Sequence, residues 1–265
     1  MDTIHPTRYT EVNRVLLELL SDVQTVLGDQ FVGMYLFGSL ASGDFDQDSD
    51  IDFVVVTNDD ISDALFAGLQ TAHLRIATIE CRYATELEGC YLPQQALRYY
   101  LRTDMLYPHI DRGKGERLRL KPQDIDWTIH GHTLGETGVV VTGPAPHTLI
   151  EPVTPNELRR AVLEILSGWW APMLDDPLKL NSSGYQSYAV LTMCRMLYTL
   201  AFGTIVSKQV AARWAKETLG EPWMPLINRA WVGRHNPELK AHTEDVNATL
   251  ELIHYTVERN AQALS

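Results

Sequence analysis

Apolar side chains recur at Val12, Val15, Leu16, Leu19, Leu20, Val23 and Leu27. That is the spacing of one helix face, and it predicts an amphipathic helix over 10–27, closed by Gly28-Asp29. The period then changes. Phe31 to Leu36 and Phe53 to Val56 are short apolar runs bounded by turn residues, the form of buried strands. Asn58-Asp59-Asp60 opens a second helix, with Leu65, Phe66, Leu69 and Ala72 on its face. From Leu74 to Tyr83 the chain alternates. This predicts a third strand with Ile76, Thr78, Glu80 and Arg82 on one side. Mixed patterns over 92–107 and 124–135 predict further helices, with a turn at 111–116 between them. Val139-Val140-Val141 is a short apolar run.

Thr142-Gly143-Pro144-Ala145-Pro146 is the strongest break in the chain. It divides an α+β segment, 1–150, from a helical one, 151–265. Helices are predicted from Thr154-Pro155 to about Trp170, over 186–202, from Ser207, and over 237–263. The 186–202 helix is almost wholly apolar, with Arg195 its one charge, so it is expected to be buried on most sides. A buried guanidinium requires an anion, either a protein carboxylate or a phosphate. Lys208 follows the N-cap Ser207, where the helix dipole disfavours a cation. It either extends into solvent or helps to build an anion site.

Composition narrows the function. The chain has 265 residues, 45% hydrophobic and 21% charged, which is ordinary for a globular protein. A net charge of −12 argues against a broad nucleic-acid footprint and fits a cationic partner. Three cysteines without a Cys-x-x-Cys pair read as reduced thiols in a cytoplasm. No signal peptide opens the chain, and no apolar run approaches the ~20 residues of a membrane span.

The chemistry concentrates between the first two strands. Gly38-Ser39 leaves the first strand in a turn whose N–H groups and hydroxyl suit a phosphate. Asp50 and Asp52 lead into the second, two residues apart and so on one face, with Ile51 turned into the core. Such a pair suits Mg²⁺, which takes a few carboxylates plus phosphate and water oxygens. A calcium loop fails on spacing. Starting at Asp44 it would place Ser49 and Val55 where Gly and Glu are required; starting at Asp46 it would place Ile51 and Thr57 there. Glu80 is either a solvent-facing partner of Arg75 or Arg82, or a third carboxylate beside the Asp pair.

Gly38-Ser39…Gly43…Ser49-Asp50-Ile51-Asp52 resembles the signature of the DNA polymerase β-like nucleotidyltransferases. Leu191 to Tyr198, Gly203 and Ser207-Lys208-x-Val210-Ala211-Ala212-x-Trp214 resemble the helical domain of the streptomycin/spectinomycin adenylyltransferases. The resemblance implies a mixed sheet flanked by helices followed by a helical bundle, and transfer of AMP from ATP to a hydroxyl of a small cationic acceptor. It implies two magnesium ions held by Asp50, Asp52 and Glu80, with Glu80 also the general base. Gly38, Ser39, Ser49, Arg195 and Lys208 are then expected on the nucleotide. The family carries acidic acceptor-binding residues just before the Arg-bearing helix. This chain has Ser183-Gly184-Tyr185-Gln186 there, which leaves Asp175, Asp176 and Tyr185 as acceptor candidates. Two alternatives stay open: the same chemistry on another small molecule or a protein, and a nucleotide sensor without catalysis.

Overall fold

The computed structural model describes residues 5–99, 105–123 and 126–261. They form two compact units, Met1–Pro152 and Val153–Ser265. The first is built on a six-stranded sheet in the order β5-β4-β3-β2-β1-β6. Its strands are β1 (Phe31–Leu36), β2 (Ile51–Thr57), β3 (Leu87–Pro93), β4 (Leu106–Ile110), β5 (Arg119–Pro122) and β6 (Val139–Thr142). Only β2 and β3 run parallel; the other neighbours are antiparallel.

The alternation of β2 assigns its two faces. Phe53 and Val55 pack with Val12, Leu16 and Leu19 of helix α1 (Thr10–Leu27) and Leu69 and Ile76 of α3 (Asp63–Ile76). Val54 and Val56 pack on the opposite side with Tyr35, Cys90, Leu92 and Trp127. Asp52 shares the phase of Val54, so its carboxylate belongs to the face away from α1 and α3.

The strand expected over 74–83 does not form. The side chain of Ser62 caps α3 by accepting from the Leu65 N–H at 3.4 Å. The apolar face of the helix continues through Ile76, and Arg75 is held by Glu18 at 2.8 Å and Asp22 at 2.7 Å on α1. Alternation over so few residues fits a helix tail as well as a strand, and the cap with these α1 contacts selects the helix. The third strand in sequence begins only at Leu87. Likewise 92–107 is not one helix: α4 (Gln94–Tyr99) is short, 100–104 lie outside the described residues, and Leu106 opens β4. The helix expected from 124 is α5 (Trp127–Thr137), with 124 and 125 outside the described residues.

His73 on α3 is buried at 5% exposure, and its Nε2 meets the Tyr91 hydroxyl at 2.8 Å. Burial pushes its pKa down to about 4. The folded chain therefore refuses a proton that the unfolded chain accepts. This contribution to stability is complete above pH 6.5 and is lost as pH falls through about 4. His73→Gln should flatten acid denaturation across that window by up to about 3 kcal/mol, read from urea midpoints at successive pH values.

The second unit is helical. Its first helix, α6 (Pro155–Ile165), starts in a capping box between Thr154 and Glu157 and passes into a π-helical turn, Leu166–Trp170. Then come α7 (Ser183–Phe202), α8 (Lys208–Leu219), α9 (Trp223–Gly233) and α10 (Thr243–Ala261). The helix expected over 237–263 thus starts later, at Thr243, and 262–265 lie outside the described residues. Among the described residues no helix is long and apolar enough to cross a membrane.

Candidate active site

Two strands each carry a carboxylate at their second residue. In the parallel register of β2 and β3, Asp52 lies opposite Glu88. Paired residues of neighbouring strands point to one face, so the two carboxylates stand side by side. Asp50, just ahead of β2, also acts on Glu88. Burial chiefly, and then the Asp50 charge, push the Glu88 carboxyl up to about 7, with Arg112 pulling the other way. Gly89, next to Glu88, has no room for a side chain: a Cβ there would lie 2.2 Å from the Phe53 carbonyl oxygen. This close approach of β3 to β2 seats Glu88 beside Asp52.

The turn after β1 folds back against the same carboxylate. Gly38 opens a short helix, α2 (Gly38–Ser42), with φ +60°. A Cβ on Gly38 would lie 1.8 Å from Asp52 Oδ2. Only glycine fits that approach and accepts that backbone conformation without strain. The Ser39 hydroxyl oxygen is buried and meets no hydrogen-bond partner in the protein. An orphaned hydroxyl beside exposed turn N–H groups suits a phosphate oxygen.

The acidic loop holds its own shape. Asp46 Oδ1 accepts from the Asp48 N–H at 3.0 Å and from the Ser49 hydroxyl at 2.9 Å, and Ser49 Oγ accepts from the Asp46 N–H at 3.0 Å. Arg82 donates to the Gln47 carbonyl. Arg112 donates to the Asp48 carbonyl at 3.4 Å and lies 3.5 Å from Asp50 Oδ2. The hydroxyl of Ser49, expected on the nucleotide, is thus engaged within this loop, where it presents Asp50 to the strand.

Glu80 requires correction. It is exposed, in the turn after α3 and off the sheet, so the strand geometry that was to bring it to Asp50 and Asp52 is absent. Glu88 occupies that position instead. Its signal was present in the chain: Leu87-Glu88-Gly89-Cys90 repeats the phase of Ile51-Asp52-Phe53-Val54, an acid at the second residue of an apolar run.

Among the described residues no three or more His, Cys, Asp or Glu are gathered to hold a metal ion by themselves. Asp50 and Asp52 fit magnesium in another way. Mg²⁺ binds through one or two carboxylates and completes its shell with water and substrate phosphates. The orphaned Ser39 hydroxyl marks where such a phosphate would be received.

In the helical unit, Arg195 lies on α7 and is half-buried rather than fully buried. Tyr188 precedes it by two helical turns on the same face. The Lys208 ammonium, in the first turn of α8, lies 5.9 Å from the Tyr188 ring centre. Of the two expected phosphate ligands, Lys208 thus lies against this tyrosine, and Arg195 is two turns further along α7. Tyr185 packs 5.6 Å from Tyr188. Asp175 and Asp176 are exposed, and Asp176 Oδ1 accepts from the Leu178 N–H at 3.5 Å, within its own turn.

Comparison with known proteins agrees with this architecture. A family model described as a nucleotidyltransferase domain matches residues 18–101. A second, described as the C-terminal domain of aminoglycoside adenylyltransferase, matches residues 148–259. Spectinomycin 9-adenylyltransferase of Campylobacter jejuni is 26% identical over 91% of this chain and 93% of its own length. Aminoglycoside (3'') (9) adenylyltransferase of Escherichia coli is 25% identical over 92% and 93%. The crystal structure of spectinomycin adenyltransferase AAD(9) from Enterococcus faecialis, solved with ATP and spectinomycin, superposes with a TM-score of 0.69 at 18% identity. That likeness covers 92% of this chain and 98% of the other. Fold and carboxylate pair together define a nucleotidyltransferase. Both halves of the chain are thus similar, in order, to the domains of aminoglycoside adenylyltransferases.

Proposed function

We propose that the protein transfers the AMP of ATP to a hydroxyl of an aminoglycoside-type antibiotic, releasing pyrophosphate. The observation that carries this reading is the pairing of Asp52 with Glu88, with Gly38 closed against Asp52. Asp50 and Asp52 would hold magnesium, two ions in the form the family implies. When bound, magnesium supplies charge neutralisation for the triphosphate and for the attacking and leaving oxygens of an in-line displacement.

The residues of the chain do the rest. The Gly38-Ser39 turn receives phosphate oxygens through its N–H groups and the Ser39 hydroxyl. Glu88, paired with Asp52 across the sheet, is placed to accept the proton of the acceptor hydroxyl, and a magnesium ion beside it would favour its ionised form. Arg195 and Lys208 take the triphosphate and stabilise the charge that develops on pyrophosphate. The net charge of −12 supports a small cationic acceptor rather than nucleic acid. Three cysteines with no Cys-x-x-Cys pair and the use of ATP support a cytoplasmic site of action.

Pyrophosphate release from ATP and Mg²⁺, measured across an aminoglycoside panel, tests the reading. Release is expected with spectinomycin or streptomycin and absent without an acceptor. Nucleotide binding with no release on any acceptor would favour a sensor.

A further inference from the structure

The helical unit holds a cavity of about 490 Å³ between the start of α7, the end of α9 and the first turn of α10. Gln186 of α7 lines it. Arg195 follows nine residues later. At about 100° per residue that is two and a half turns, so the two side chains leave opposite sides of the helix. Tyr188, against which Lys208 lies, is also on the far side. The cavity is therefore separate from the residues proposed for the nucleotide. Its wall is held in shape by the backbone. The Ser183 N–H donates to the Leu239 carbonyl at 2.8 Å, the Gly184 N–H to the Pro237 carbonyl at 3.3 Å, and the Ala241 N–H to the Asn181 carbonyl at 2.8 Å. These bonds lock the segment between α9 and α10 onto the start of α7.

The inner end of the cavity offers a hydrogen-bond acceptor. Gln186 is 4% exposed, and its Nε2 donates to the Thr249 hydroxyl at 2.7 Å. Thr249 spends its own proton on the Asp245 carbonyl at 2.6 Å, so its oxygen can only accept from Gln186. The amide is thereby fixed, and among the described residues its carbonyl oxygen accepts from no donor. A polar atom buried in that state calls for a donor from outside the chain. The rim makes the opposite demand. In a chain of 22 basic and 34 acidic residues, 229–242 carries Arg229, Arg234, Lys240 and two histidines against Glu238 alone. Arg229 is engaged by Asp245 at 2.7 Å. Lys240 and His242 line the cavity with the amides of Asn228 and Asn236, and among the described residues neither of the two meets a carboxylate. Val232 and Leu239, 65% and 61% exposed, supply an apolar edge.

We propose that this cavity is a second binding site, for a small hydroxylated anion of the sugar-phosphate class. The anionic group lies against Lys240 and His242, a hydroxyl donates to Gln186 Oε1, and the sugar ring lies along Val232 and Leu239. Four donor side chains at the rim suit the three oxygens of a phosphate better than the two of a carboxylate. A volume of about 490 Å³ falls in the range of small-molecule pockets and exceeds what free phosphate fills. The site uses none of the adenylyl-transfer residues and stands whether or not that reading holds.

Calorimetric titration of the full chain with ribose 5-phosphate tests the site. Saturable one-site binding is expected, with ribose alone and inorganic phosphate alone each at least about tenfold weaker. Lys240→Ala removes an exposed ammonium and should raise Kd about tenfold while the thermal midpoint stays at the wild-type value. Val232→Trp obstructs the apolar edge from an exposed position and should raise Kd at least as much. Lys208→Ala, on the far side of α7, should leave Kd unchanged. The absence of saturable binding overturns the proposal, and so does a Kd that Lys240→Ala and Val232→Trp both leave at wild type. Binding lost in Lys208→Ala would put the sugar phosphate in the nucleotide site and overturns it as well. Gluconate separates the two sources of negative charge: if it binds more tightly than ribose 5-phosphate, the phosphate assignment fails.

Discussion

Glu88→Gln should lower kcat by about three orders of magnitude, within the range for loss of a general base, while Glu80→Gln stays close to wild type. The contrast follows from geometry. Glu88 stands beside Asp52 on the adjacent strand, whereas Glu80 is exposed on a turn off the sheet. Glutamine keeps the shape and the hydrogen-bonding oxygen of Glu88 and removes its capacity to take a proton. Binding of ATP and Mg²⁺, measured by calorimetry, should survive in both variants. A second readout distinguishes a base from a packing residue. In the metal-free protein the Glu88 carboxyl is raised to about 7, so the folded state holds its proton more tightly than the unfolded state. Its contribution to stability is then complete below about pH 4.5 and disappears as pH rises through 7. With EDTA present, Glu88→Gln should therefore be more stable than wild type at pH 8, on the order of 2 kcal/mol, with no gain at pH 4.5. Retained turnover in Glu88→Gln would place the base elsewhere. A dead Glu80→Gln would restore the alternation-based assignment.

Gly38→Ala should abolish activity, with a loss of at least about 100-fold. An alanine Cβ would lie 1.8 Å from Asp52 Oδ2 and 2.6 Å from Asp52 Cγ. Either the carboxylate or the turn must move by more than an ångström, and a displacement of that size at a reacting centre is costly. The φ of +60° adds backbone strain of roughly 1–2 kcal/mol. Gly43 provides the control. It has φ +79°, yet a Cβ there would meet nothing within 4 Å. Gly43→Ala should show the stability loss and keep most of the turnover. Equal activity in the two variants would mean that the contact of Gly38 with Asp52 does not position the carboxylate pair.

The acidic loop shows how tertiary contacts redistribute roles within a motif. The resemblance puts Ser49 on the nucleotide, and in the fold its hydroxyl is engaged with Asp46. Arg82 and Arg112, which carry no motif, hold the loop from two sides. Arg112 reaches Asp50 from beyond β4, a distance in sequence that no local pattern bridges.

Local order along the chain was enough to place the Asp50/Asp52 pair on one strand, the glycine turn before it and the helices of the second half; the two compact units divide at Pro152/Val153, beyond the break expected at 142–146. Each depends on neighbours a few residues apart: the two-residue repeat of a strand, the positive φ of a turn, the face of a helix. The third carboxylate was decided only by folding. Residues 74–83 alternate over too short a length to separate strand from helix, and Arg75 clamped to Glu18 and Asp22 on α1 resolved the choice. Glu88 reaches Asp52 because β3 lies parallel to β2, and parallel pairing is a property of the assembled sheet, which no segment carries by itself.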